Sequence, residues 1–181
     1  DILVEVAKLS SFNCMPRKGH LEAVYSIFGY LRKHENSKIV FDSRRPQYDE
    51  SRFVEAEWKD LYGDVTEDIP MNKPAPRGCM VKVSLFSDAD HAGNLLTRRS
   101  HTGLMIFLQN ALIDWYSKGQ ATVESSTFGS ETIALRTGVD KLQALRYKLY
   151  MMGIPMEGAC DVFCDNQSVC LTAQKPETRL N

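Results

Sequence analysis

Apolar residues recur at helical spacing twice near the start of the chain. Ile2, Leu3, Val6 and Leu9 mark one face of a helix from Asp1 to Phe12, which Ser10, Ser11 and Asn13 break. After a turn at Pro16–Gly19, the stripe Leu21, Val24, Ile27, Phe28 and Leu31 predicts a stronger amphipathic helix reaching about His34. Arg32, Lys33 and His34 sit at its C-terminal end, where cations suit the helix dipole. His20 and His34 read as surface or capping residues. Ser37–Asp42 reads as a short strand. Periodicity is then lost over residues 43–77, a polar stretch with Trp58, Tyr62 and the closely spaced Pro70, Pro74 and Pro76. Such punctuation marks a linker, and its aromatic residues are expected to pack it onto a neighbouring element.

From Val81 the period becomes two. Val81, Val83 and Leu85 alternate with Lys82 and Ser84, and Phe86 makes the run apolar on both faces. This strand gives out at Asp88, and Asp90 and Gly93 read as its closing turn. Leu104–Leu108 and Ala111–Ser117, joined at Gln109-Asn110, complete an antiparallel meander. Trp115, in mid-strand, is expected in the core. The period then changes to that of a long helix, with N-cap candidates at Glu124–Thr127 and an end near Met151, before Gly153 and Pro155. Its apolar stripe is Leu135, Gly138, Leu142, Leu145 and Leu149, and one step back stands Glu131. Gly138 on that face predicts close approach of another element. Ala159–Asp165 is a fourth strand ending in an aspartate. A helix starts at Asn166-Gln167-Ser168 and is stopped by Lys175-Pro176.

The acidic residues change what this order of elements means. Asp88 ends the first strand, Asp165 ends the fourth, and Glu131 extends the buried face of the helix between them. If the fourth strand lies parallel to the first, as a crossover helix permits, both aspartates emerge at one edge of the sheet. The helix can bring Glu131 to the same point. Carboxylates that close repel one another unless cations bind or their pKa values rise. Carboxylate oxygens suit Mg²⁺ or Mn²⁺, and two such ions about 4 Å apart support phosphoryl transfer. Taken singly, Asp88 and Asp90 read equally as turn formers.

Composition narrows the class without deciding it. The chain has 181 residues, enough for one domain and a piece of another. Its 22 basic and 23 acidic residues leave a net charge of -1, so any surface for nucleic acid must be local. Five cysteines, an odd number without a regular framework, fit free thiols. Cys160 and Cys164 lack the further ligands of a recognisable zinc pattern. No apolar run reaches membrane-spanning length, and no secretory signal opens the chain.

Phe86-Ser-Asp-Ala-Asp-His-Ala-Gly93, Thr97-Arg-Arg-Ser-His-Thr-Gly103, Trp115-Tyr-Ser-Lys118 and Cys164-Asp-Asn-Gln-Ser168 together resemble the ribonuclease H domain of copia-type LTR retrotransposon polyproteins. Asp1-Ile2, Gly19-His-Leu-Glu-Ala-Val24 and Gly29-Tyr-Leu-Arg32 resemble the end of the reverse transcriptase of the same polyprotein, its thumb and connection. The resemblance implies an α/β fold: a ribonuclease H-like mixed sheet with flanking helices, C-terminally truncated and preceded by a small helical reverse-transcriptase tail. The divisions it implies are a thumb/connection tail at 1–42, a linker at 43–77 and an incomplete ribonuclease H-like domain at 78–181. The implied activity is Mg²⁺- or Mn²⁺-dependent cleavage of the RNA strand of RNA–DNA hybrids during reverse transcription.

Carried onto this chain, the catalytic and metal-binding acids are Asp88, Glu131 and Asp165, with Asp90 ranked below Asp88. Phe128 and Gly129 depart from the family's helix motif, and the family's fourth carboxylate has no counterpart before Asn181. Arg98, Arg99 and Lys118 could meet phosphates, and Ser125 or Ser126 a sugar 2′-hydroxyl. Each of these reads equally as a solvated turn or a helix cap. The implied partners are the hybrid and the rest of the polyprotein, with no membrane. The implied location is cytoplasmic, in a virus-like particle, or nuclear. Two alternatives stand beside the nuclease: a catalytically inactive, truncated remnant, and a domain that only tethers hybrid.

Overall fold

The computed structural model describes residues 2–49, 51, 53, 58–64 and 66–175. Its helices are α1 (Leu3–Ser10), α2 (Lys18–Lys33), α3 (Lys59–Tyr62), α4 (Thr127–Met151) and α5 (Gln167–Gln174). Its strands are β1 (Val83–Asp90), β2 (His101–Leu108), β3 (Ala111–Gly119) and β4 (Asp161–Cys164). They form one sheet in the order β3-β2-β1-β4. The β1–β2 and β2–β3 pairs are antiparallel and the β1–β4 pair is parallel, with register Ser84↔Asp161 to Ser87↔Cys164. A mixed sheet flanked by helices in this order is generally ribonuclease H-like in architecture.

Alternation along β1 and β2 divides their side chains between two faces. Val83, Leu85, Leu104 and Ile106 point to α4 and form the core with Leu142 and Leu149. Gly138 lets this helix settle: a Cβ there would stand 2.5 Å from Leu85 Cδ2 and 3.3 Å from Leu104 Cδ2. The buried line of α4 is Glu131, Ala134, Gly138, Leu142 and Leu149. Leu145 packs at its edge. The stripe therefore turns onto Ala134 where Leu135 was expected, and Leu135 is only partly buried.

The opposite face carries an aromatic cluster. Phe86 and Phe163 stack at 4.6 Å, and Phe107 meets Phe86 edge-on at 5.6 Å. Tyr48 and Phe53, from the polar stretch after α2, pack on Phe163 at 4.8 Å and 5.8 Å. The expected docking of this stretch therefore falls to those two rings. Trp58 and Tyr62 are exposed and lie 6.0 Å from each other. A second tie comes from Glu67, which accepts hydrogen bonds from Arg146 Nε and Nη2, each at 2.6 Å.

Further expectations change. Ser37–Asp42 is not a strand: Ile39, Val40 and Phe41 are exposed, and the segment pairs with no sheet edge among the described residues. β1 runs on through Asp88 to Asp90, because His101–Gly103 of β2 continue the ladder opposite them. The two aspartates are therefore strand residues rather than a turn. Trp115 is 48% exposed, on the face away from α4 and opposite Met105, so it lies outside the core. β4 is shorter than Ala159–Asp165 and leaves Asp165 just beyond its end. Pro176, read as the stop of α5, lies outside the described residues. His20 acts as a cap, its Nδ1 accepting the Arg17 backbone N–H at 3.2 Å.

Candidate metal centre

β1, β3 and β4 all end at the same edge of the sheet, where β2 and α4 begin. The strand directions therefore gather chemistry there from distant parts of the chain. Asp88 lies in β1 opposite Gly103, and Asp165 follows β4 one residue past the Ser87↔Cys164 pair. Glu131 stands in the second turn of α4, whose N-cap Ser126 accepts the Gly129 N–H. Asn166, beside Asp165, caps α5 by accepting the Val169 N–H at 3.2 Å. Each acid is thus held next to a defined start or end of an element.

Glu131 is only 6% exposed, which is unusual for a carboxylate. β4 stops at Cys164, so it offers Ala89 of β1 no ladder partner. The Glu131 Oε1 takes that place, accepting the Ala89 N–H at 3.2 Å. Its Oε2 faces the Cys164 thiol at 3.9 Å. Burial raises the Glu131 pKa above its ordinary value. The Ala89 hydrogen bond opposes this shift, and the charges of Asp88 and Asp165 add to it. Burial likewise pushes the Cys164 thiol up to about 11.

Ligand atoms of Glu131, Cys164 and Asp165 lie within 4.8 Å of one another. Asp88 is outside this group, because strand alternation aims it to the face opposite α4, along with Phe86. Its charge nevertheless bears on Glu131. The Glu131, Cys164 and Asp165 cluster could coordinate a divalent cation, to which its two carboxylates would offer oxygen ligands. The Cys164 sulfur is a soft donor, which oxygen-preferring Mg²⁺ disfavours.

Asp90 is exposed and lies 3.9 Å from Lys8 Nζ of α1. Gly93 leaves room for its carboxylate, with which a Cβ at that position would collide. Arg98 and Arg99 are exposed on the loop between β1 and β2, which is folded on Asn94: its side chain accepts the N–H groups of Leu96 and Thr97, each at 3.0 Å. Lys118 is exposed near the end of β3, and Ser125 and Ser126 are exposed where α4 begins. All five therefore lie at the sheet edge that carries the acids, outside the cluster itself.

Two participants were not expected from the sequence. Cys164 joins the acids, whereas Cys160 lies near the far end of α4, 3.3 Å from Arg146 Nη1. The signal for Cys164 was its position one residue before Asp165, on the strand parity that faces the helix. The other is Gln120. It is buried, and its Nε2 donates to Thr102 Oγ1 at 3.0 Å and to the Ser130 carbonyl at 2.9 Å. No periodicity marks it, since it lies just past β3 in an irregular segment.

No protein-family model matches the chain, and no solved structure matches it significantly. It is 36% identical over 169 residues, 93% of its length, to the retrovirus-related Pol polyprotein from transposon TNT 1-94 of Nicotiana tabacum. It is 24% identical over 176 residues, 97% of its length, to the retrovirus-related Pol polyprotein from transposon RE1 of Arabidopsis thaliana. The chain spans 10% of the length of each of these two relatives. A shorter similarity, 39% over 59 residues, covers 33% of the chain and 42% of the secreted RxLR effector protein 161 of Plasmopara viticola. The chain is thus distantly homologous to plant retrotransposon Pol polyproteins. Among the described residues, no helix is long and apolar enough to cross a membrane.

Proposed function

We propose that the chain is a segment of a copia-type retrotransposon Pol polyprotein that cleaves the RNA strand of RNA–DNA hybrids. On this reading residues 1–42 are the end of the reverse transcriptase, 43–77 a linker and 78–181 the ribonuclease H-like domain. The observation that carries it is the meeting of Glu131 and Asp165 within 4.8 Å at the strand-end edge, with the Asp88 charge acting on Glu131. Homology to Pol polyproteins supports the same reading.

Asp88, Glu131 and Asp165 are the residues proposed to hold Mg²⁺ or Mn²⁺. Bound there, such ions supply a Lewis acid that makes water nucleophilic and stabilises the leaving oxygen. The protein's part is positioning. The Ala89 N–H fixes one oxygen of Glu131 and so sets which lone pairs remain for a cation. Arg98, Arg99 and Lys118 are proposed to take phosphates, and Ser125 and Ser126 a 2′-hydroxyl, because all stand at the same edge. The proposed partners are the hybrid and the remaining polyprotein, in a cytoplasmic virus-like particle or the nucleus.

The test is cleavage of a hybrid labelled on its RNA strand, with Mg²⁺ and with chelator. Asp88→Asn is expected to lower the metal-dependent rate at least about a hundredfold, the scale of lost electrostatic stabilisation in an active site. Undiminished cleavage would remove Asp88 from the site. Hybrid binding without cleavage, insensitive to Mg²⁺ and to Asp88→Asn, would identify a tethering domain instead.

A further inference from the structure

We infer that Gln120 is a positioning residue that sets the carboxylate of Glu131 against β1. Its backbone N–H donates to the Ser100 carbonyl at 2.8 Å, which pins the end of β3 to the start of β2. Its side chain then reaches inward in two directions at once. One N–H goes to Thr102 Oγ1, and Thr102 pairs with Ala89 in the ladder. The other goes to the carbonyl of Ser130, the residue before Glu131. Gln120 therefore connects the two backbone segments whose meeting is the Ala89–Glu131 hydrogen bond.

The site needs such a tie because the other contacts at this end of α4 are weak in direction. Ser126 caps the helix at an exposed position, and Ser130 Oγ bonds back to the Thr127 carbonyl at 2.9 Å, within the helix itself. His91 Nδ1 stands 3.4 Å from Ser130 Oγ. Gln120 supplies the short bonds from the helix backbone to the sheet here. Its Oε1 has no protein partner among the described residues, so the amide is held through its donor end. Hydrogen bonds alone offset the desolvation of a buried amide, and two well-made ones fix its orientation.

The inference depends on the nuclease reading for its effect on metal, and not for its effect on Ala89. The two are read separately, by hydrogen exchange of individual amides and by calorimetric titration with Mn²⁺ alone. Gln120→Met keeps the length and removes the donors. Exchange at the Ala89 amide is expected to accelerate about tenfold, the scale of one hydrogen bond, while Leu85 and Leu104 amides stay within about twofold. Mn²⁺ affinity is expected to fall several-fold. Thr102→Val, which removes the acceptor, should move Ala89 in the same direction, and Thr102→Ser, which keeps the hydroxyl, should not. The Thr102 pair decides the matter if Gln120→Met does not fold. Unchanged exchange at Ala89, or equal acceleration at Ala89, Leu85 and Leu104, would overturn the inference. If the parent chain binds no Mn²⁺, the nuclease reading fails, and the exchange of Ala89 still decides the role of Gln120.

Discussion

The backbone N–H of Ala89 donates to Oε1 of Glu131 at 3.2 Å, so a helix side chain continues the hydrogen bonding of a strand past the point where its parallel neighbour has ended. The acid is thereby buried and oriented before any ligand arrives. Burial and the charges of Asp88 and Asp165 act against its ionised form. Glu131→Gln retains the shape and an acceptor for Ala89 while removing the charge. The metal-free variant is expected to be more stable than the parent at neutral pH, by about 1 kcal/mol, and to lose Mn²⁺ binding. Thermal unfolding with and without Mn²⁺ measures both. A variant that is destabilised without metal would show that the charge is not under strain.

Gly138 predicts how tightly the helix is seated. An alanine there gains helix propensity of about 1 kcal/mol but forces a methyl onto the side chain of Leu85, which is fully buried. Gly138→Ala should cost about 1 kcal/mol net and Gly138→Val about 3 kcal/mol, by urea unfolding at constant m-value. A neutral Gly138→Val would mean that α4 can lift from the sheet freely.

The Glu67–Arg146 pair gives the fold an acid-sensitive tie. Hydrogen bonds from Arg146 hold the Glu67 carboxyl below its ordinary value of 4.5, against the opposing effect of burial. A depressed folded pKa means stability that is fully present above 4.5 and is lost as pH falls through the folded value. Glu67 is partly exposed, so screening reduces the effect to about 1 kcal/mol. Glu67→Gln should lower stability by that amount at pH 7 and by nothing once the carboxyl is protonated. Unfolding curves at pH 7 and under acid conditions check the difference, and a penalty independent of pH would point to packing alone.

Arg98 and Arg99 stand on an exposed loop at the edge that carries the acids. Replacing both with Ala should weaken hybrid binding and reduce the dependence of log K on log salt by about two, one for each phosphate that is no longer neutralised. An unchanged salt slope would return them to the role of solvated loop residues.

Much of this organisation is legible in the chain. The period-two run, the meander and the long helix follow from local hydrophobic pattern, and Gly138 on the stripe foretells the close approach of β1. What pattern could not supply is pairing. β1 outlasts its apolar run because β2 supplies partners for Asp88 and Asp90, a fact of the neighbour and not of the segment. Ile39, Val40 and Phe41 have strand propensity but pair with no sheet edge among the described residues. The acids were visible from their places at element ends. Cys164 and Gln120 were not, since a thiol beside an acid and an amide after a strand acquire meaning only when three elements meet.

The parallel pairing of β1 with β4 also sets an order of events. The meander closes through short connections, whereas Ser87↔Cys164 must wait for α4 to be laid down between them. Pairings of such long sequence separation form late, because the loop must close before the contact rewards it. The β1–β2 hairpin that carries Asp88 is therefore expected to form before β4 brings Asp165 beside it. If the proposed cation site binds Mn²⁺, the appearance of that affinity during refolding would time the docking of β4 on β1, because Glu131 and Asp165 meet only once that pairing is made.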